Sequence, residues 1–298
     1  MGMIYLNLAP FKYKAILNYP QSPIQKIDIT QTTNSYGSKY YEVYGWMKSE
    51  FKFLGIETSN LYGSCEATGT DKYFQIAFWK CISELVERWA FHNLLKNNSV
   101  AFGMDIDATS TGFAALPCWP KSAAREIAYC EAIERWAISM WWRGQLSAFL
   151  EVSPKLDGDI GVAKISISEN IGNVVIVFKK NVSDDKIFYI YGFAYGKTLR
   201  GAISKASVEL FRNEKVLLQN NAAEAKSVSD IRLKYFSTEE GFLHFFSKVG
   251  SIGRIFNSIP NLIVDSEVPG EWSQFATVWR CLLPDTNYNW NDLKHFMF

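Results

Sequence analysis

Histidine is scarce in this chain: His92, His244 and His295 are the three in 298 residues. A Ser/His/Asp hydrolase stays formally open, but no nucleophile elbow Gly-x-Ser-x-Gly supports it. The phosphate loop G-x-x-x-x-G-K-[ST] and the dinucleotide motif G-x-G-x-x-G are missing too, so any nucleotide would be held by an uncommon route. The five cysteines, Cys65, Cys81, Cys118, Cys130 and Cys281, form an odd set without a C-x-x-C pair. That disfavours a zinc ribbon, a thioredoxin-like site and a full disulfide framework, and leaves reduced, mostly buried thiols. No apolar run approaches the roughly 18 residues that span a bilayer; the best, Val174 to Phe178, is closed by Lys179 and Lys180. The N-terminus lacks the pattern of a secretory signal, and Leu6 stands where myristoylation wants Ser or Thr. A soluble, cytoplasmic protein with no membrane partner is expected. Excess charge is missing as well: 31 Lys and Arg face 30 Asp and Glu, for a formal net charge of +1, which speaks against a nucleic-acid partner.

What the chain does have is 48% apolar residues and an aromatic share of 15%, enough for a large core and too much for disorder or a small disulfide scaffold. Aromatic richness alone cannot choose between a large core and a large groove. Internal similarity is more informative. Glu84 to Ala90 and Glu131 to Ala137 share the pattern Glu-x-x-Glu-Arg-Trp-Ala, and Glu209-Leu-Phe-Arg-Asn213 is a fainter third copy. Each copy lies late in a helical pattern and follows a glycine-containing segment: Gly69-Thr-Asp, Gly112-Phe-Ala-Ala115 and Gly192-Phe-Ala-Tyr195. The unit reads as glycine turn, long helix, acidic cluster, at spacings too uneven for a solenoid.

Apolar periodicity predicts helices over about Asp71 to Asn93, Lys121 to Trp142, Leu199 to Leu218 and Thr238 to Val249. Alternating or apolar runs predict strands at Val162 to Ile167, Val174 to Phe178, Ile187 to Phe193 and Thr277 to Leu283, with Asn181 to Asp185 as a turn and Asn220 to Ser229 as a surface loop. The fold class is therefore mixed α/β, with internally repeated helix units on largely antiparallel sheets. No linker divides it, so residues 1–298 are read as a single domain with a motif core at about 64–218 and residues 230–298 in the same domain.

Residues three and four apart share a helix face, so Glu84 and Glu87 point one way, as do Glu131 and Glu134. One such cluster is usually a solvated surface, with Glu84 to Arg88 or Glu131 to Arg135 as an ordinary i,i+4 pair. Two clusters flanked by Trp89, Trp136, Trp141 and Trp142 are less ordinary, because desolvated carboxylates demand a cation. No Glu-x-x-His supports a di-iron site. Oxygen-only ligation points to magnesium bridging carboxylates to phosphates, with Arg88 and Arg135 able to pair with phosphate oxygens. The four tryptophans could wall a nucleotide pocket or pack the core.

These segments resemble the YcaO superfamily, most closely at Gly112-Phe-Ala-Ala followed by Cys130-Glu-Ala-Ile-Glu-Arg-Trp, with a weaker echo at Val278-Trp-Arg-Cys-Leu-Leu-Pro284. The resemblance covers about Ser64 to Leu218. It implies a YcaO-like fold and an enzyme dependent on ATP and Mg2+ that activates a peptide backbone amide by phosphorylating its oxygen. The outcome would be azoline-forming cyclodehydration or thioamidation of a ribosomally synthesised peptide or protein. It assigns Glu84, Glu87, Glu131, Glu134 and Glu209 to magnesium, and Arg88, Arg135, Arg212 and Arg280 to the phosphates; no catalytic residue is assigned. It also implies a precursor peptide or protein substrate and a separate leader-binding or sulfur-delivery partner, with a homo-oligomer open. The chain departs from the family at Arg212, where Gln is common, and at Lys80, where Ser is common. The C-terminus lacks the proline-rich tail of azoline-forming members. A degenerate YcaO-like protein that binds a peptide or partner without ATP turnover is the alternative.

Overall fold

The computed structural model describes residues 9–33, 39–56, 58–117, 120–151, 160–168, 170–183, 186–220, 223–250, 253, 258–284 and 292–296. Its contacts group into two compact units, each assembled from separated stretches of chain: 1–58, 64–132 and 262–283 in the first, 59–63, 133–261 and 284–298 in the second.

The first unit opens with α1 (Ala9–Leu17), β1 (Ile24–Thr33), β2 (Lys39–Met47) and β3 (Ala67–Asp71), followed by α2 (Phe74–Lys96). The three strands form an antiparallel sheet in the order β1-β2-β3. Helix α2 packs on it through Ala77, Cys81, Leu85 and Trp89, which join Val43, Met47 and Ala67 in one buried cluster. Gly69 permits this approach, because a Cβ there would lie 1.9 Å from the Ala77 carbonyl oxygen. A second antiparallel sheet runs β4-β10-β9, from β4 (Phe113–Leu116), β9 (Val264–Glu267) and β10 (Thr277–Leu282). Ala123 and Ala124, early in α3 (Lys121–Trp142), pack on Leu116 and Trp279 of that sheet. A stripe of small and branched residues along this helix, Ala124, Ala128, Ala132 and Ile133, is buried.

The second unit is built on a four-stranded antiparallel sheet, β5 (Ala148–Glu151), β6 (Ile160–Ile165), β7 (Asn173–Ser183) and β8 (Lys186–Gly196), in chain order. Helix α4 (Leu199–Asn220) lies on β7 and β8. Ala202, Ala206, Leu210 and Leu217 meet Val175, Val177, Ile190 and Ala194 there. Helices α5 (Val228–Phe236) and α6 (Glu239–Lys248) begin at Ser227 and Thr238, whose side chains accept from the Asp230 and Gly241 N–H groups.

The predicted helices and strands are present within a few residues, and the sheets are antiparallel. Two readings are corrected. Two of the glycine-containing segments are not turns, since Gly69 and Gly192 lie inside β3 and β8, whereas Gly112 does sit in a turn just before β4, with a left-handed backbone at φ 68°. The loop expected to reach Ser229 instead gives way to α5 from Val228. Of the expected turn at 181–185, Asn181 to Ser183 continue β7 and the rest lies outside the described residues, as does Cys118; Cys65, Cys81, Cys130 and Cys281 are not disulfide-bonded.

Candidate functional site

The edges of the sheets explain where the glutamates sit. Strands β3, β4 and β8 are each the last strand of their sheet, so their outward N–H groups need acceptors from outside the ladder. Helical carboxylates supply them. Glu84 Oε2 accepts from the Thr68 N–H at 2.8 Å, and Glu87 Oε1 from the Ala115 N–H at 2.9 Å. In the second unit Glu134 Oε2 accepts from the Tyr195 N–H at 2.7 Å, and Glu209 Oε2 from the Phe193 N–H at 2.9 Å. One oxygen of each carboxylate is thus pinned to the backbone.

The other oxygen has a recurrent neighbour. Arg88 Nη2 stands 3.6 Å from Glu84 Oε1, Arg135 Nε 4.0 Å from Glu134 Oε1, and Arg212 Nη2 4.0 Å from Glu209 Oε1. These separations are too long for a hydrogen bond, so charge is balanced without the oxygen being committed to the guanidinium. The arginines are steadied from elsewhere. Arg88 donates to the Ser110 hydroxyl, and the Arg135 guanidinium carbon lies 4.8 Å from the Phe193 ring centroid. All these glutamates, Glu131 and the three arginines are half-buried, which rules out a plain solvated acidic face.

Burial has electrostatic consequences. Glu87 titrates well above the ordinary carboxylate range, chiefly from desolvation and then from the charge of Glu131. Glu209 is also raised by burial, with Arg212 and Arg135 pulling the other way. Carboxylates held so are costly as lone anions and gain from a cation. Among the described residues, however, no three His, Cys, Asp or Glu side chains converge closely enough to hold a metal ion by themselves. Magnesium suits this donor set, since it takes one or two carboxylates and completes its shell with water and phosphate oxygens.

Two other expectations change. Arg280 is fully buried and donates through Nη2 to the Asp107 carbonyl at 2.7 Å, with its guanidinium over the Phe113 ring at 4.7 Å. Burial lowers its pKa to about 10 against the pull of Asp107 and Glu131. It braces the chain at Asp107 and presents no face to a phosphate. Trp89, Trp136, Trp141 and Trp142 are buried core residues.

The repeat also hides a residue that sequence comparison misses. A Cβ on Gly69 would meet Ala77 and Cys81 of α2, and one on Gly192 would meet Ala206 and Leu210 of α4, which superimposes the two strand-helix pairs with an offset set by these contacts. Under that match Asn213 occupies the place of Glu84, and Glu209 that of Lys80. The bonding agrees: Asn213 Nδ2 donates at 2.8 Å to the Tyr191 carbonyl, one residue before Gly192, as Glu84 accepts from Thr68, one residue before Gly69. Lys80 Nζ reaches the Thr70 carbonyl at 3.1 Å, just after its glycine, as Glu209 reaches the Phe193 N–H.

No family model and no curated protein matches the chain. A solved structure does: that of YcaO from Methanopyrus kandleri bound with AMPPCP and Mg2+, at a TM-score of 0.57 over 95% of this chain and 90% of that one, with 11% identity. The likeness is one of fold, and the chain has the mixed α/β fold of that YcaO protein.

Proposed function

We propose that this chain is a YcaO-type enzyme that uses Mg2+ and ATP to phosphorylate a backbone amide oxygen of a ribosomally made peptide or protein in the cytoplasm. The observation that carries this reading is the repeated arrangement in which a glutamate gives one oxygen to a strand N–H and leaves the other near an arginine. The fold shared with a YcaO structure holding a nucleotide analogue and magnesium supports it.

Glu84, Glu87, Glu131, Glu134 and Glu209 would hold magnesium, which supplies positive charge to the phosphates when bound. Arg88, Arg135 and Arg212 would meet the phosphate oxygens. An amide oxygen leaves poorly, and phosphorylation makes it a good leaving group. Attack on the amide carbon by a Cys, Ser or Thr side chain of the substrate, then loss of phosphate, gives an azoline; attack by external sulfide gives a thioamide. A separate partner protein would deliver the peptide leader or the sulfur.

A second reading, a YcaO-like chain that binds a peptide or partner without ATP turnover, draws support from Asn213, which puts a neutral amide where the first helix carries an acid. One experiment separates the two. Wild-type protein with Mg-ATP, precursor peptide and partner should release ADP and phosphate, and the peptide should lose one water mass or exchange oxygen for sulfur. Glu87→Gln and Glu134→Gln should each slow turnover by about 10²-fold or more. Nucleotide binding without turnover under every pairing would select the second reading, and no nucleotide binding would sink the first.

A further inference from the structure

The segment Ser59–Gly63 belongs to the second unit although the rest of that unit begins at Ile133. It is tied down at several points. The Ser59 hydroxyl donates to Asp230, and the Asn60 N–H donates to Asp230 Oδ2 at 2.8 Å. Asn220 Nδ2 donates to the Leu61 carbonyl at 2.7 Å, and the Leu61 side chain is fully buried. Gly63 then turns the chain with φ 64°.

Between these anchors stands Tyr62. Its phenol donates to the side-chain oxygen of Asn213, and its ring centroid is 6.0 Å from the guanidinium carbon of Arg212. Asn213 is itself fixed through its amide on the Tyr191 carbonyl. Arg212 is long, partly exposed and 4.0 Å from Glu209 Oε1, so without the ring one side of its guanidinium would lack this support. Arg88 and Arg135 have a corresponding brace in Ser110 and Phe193.

We infer that Tyr62 is a positioning residue for Arg212, holding the guanidinium beside Glu209 in readiness for a phosphate. The role rests on the Mg-nucleotide reading above, and Tyr62 need touch no substrate to fulfil it. The strap from Ser59 to Gly63 provides the fixed platform, and Asn213 provides its register.

Binding of Mg-ATP to the full chain, measured by calorimetry, tests this with Tyr62→Leu, Tyr62→Phe, Arg212→Ala and the Tyr62→Leu/Arg212→Ala pair. Loss of the ring should weaken binding about fivefold to tenfold, and loss of the hydroxyl alone about threefold. In the Arg212→Ala background Tyr62→Leu should add nothing, because a residue that acts through another has no effect once that other is gone. Unchanged affinity in Tyr62→Leu, or full additivity in the pair, overturns the inference and leaves the Mg-nucleotide reading standing. If Tyr62→Leu fails to fold, Tyr62→Phe decides, and wild-type affinity in that variant overturns the inference. Absence of Mg-ATP binding by the wild type removes the Mg-nucleotide reading, and the inference with it.

Discussion

Capping a strand edge and binding a cation are compatible tasks for one glutamate, because a carboxylate has two oxygens. Glu84 shows how to separate them: Oε2 holds the Thr68 N–H and Oε1 lies near Arg88. Glu84→Gln can still offer its amide oxygen to Thr68, so denaturant unfolding should change by no more than about 0.5 kcal/mol, while Mg-nucleotide affinity falls by about tenfold. Glu84→Ala also strands the Thr68 N–H and should cost about 1–3 kcal/mol of stability. Equal Mg-nucleotide affinity in wild type and Glu84→Gln would reduce the residue to a cap. The acidic residues were legible in sequence because Glu-x-x-Glu-Arg recurs at 84 and 131. Their backbone partners were not, since an N–H carries no letter. Asn213 was invisible for a related reason: its equivalence to Glu84 rests on position and bonding, and its residue type breaks the pattern.

Strand, close glycine and helix form the recurring element. In the third copy a Cβ on Gly192 would lie 2.1 Å from the Ala206 carbonyl oxygen and 2.4 Å from the Leu210 nitrogen. These are backbone atoms of a helix and cannot step aside cheaply, so Gly192→Ala and Gly69→Ala should each cost at least about 1–3 kcal/mol, seen as a fall in thermal midpoint. A midpoint within a degree of wild type would mean the helix can move off the sheet at no cost. Glycine weighs as a turn signal in sequence, which hides strand β3 at Gly69 and sets the glycine-turn reading of Gly192 against the strand pattern of Ile187 to Phe193. The long helices are legible because their buried stripes keep a clean period. Strand β1 left no such trace: a register shift between Ile24 and Lys26 breaks its alternation, and the strand has no fully buried residue to mark a core face. Helix α5 is not legible in the sequence at all: Ser227 and Asp230 at its start look like loop residues until their hydrogen bond is known.

At the scale of the whole molecule, the near-neutral charge conceals titratable groups displaced by burial, and the chain's last described residues matter most. Phe296 is fully buried, its ring 5.0 Å from those of Phe236 and Phe245 and 5.7 Å from that of Trp141. Phe296→Ala should cost about 3–5 kcal/mol in denaturant unfolding, and a loss below about 1 kcal/mol would show that the pocket collapses around the smaller side chain. Its neighbour His295 is also buried, and its pKa is lowered to about 3, mainly by desolvation and then by Arg232. The unfolded chain takes up a proton on this imidazole near 6.5, whereas the folded chain resists it until about 3. Between those values the unfolded state binds more protons, so the stabilisation is complete above 6.5 and is lost as the pH falls toward 3. Asp265, held low by its hydrogen bonds to Arg125, adds a loss of the same sign only below its ordinary value of 3.8. Glu87 and Glu209, both raised, act in the opposite sense over part of the range, so the informative quantity is the difference between two chains. His295→Asn keeps a neutral polar group at every pH. Its thermal midpoint should lie below that of the wild type near neutrality, and the gap should close as the pH is lowered from about 6.5 to 4.5. A gap that stays constant across that interval would show that His295 is protonated in the folded state at ordinary pH.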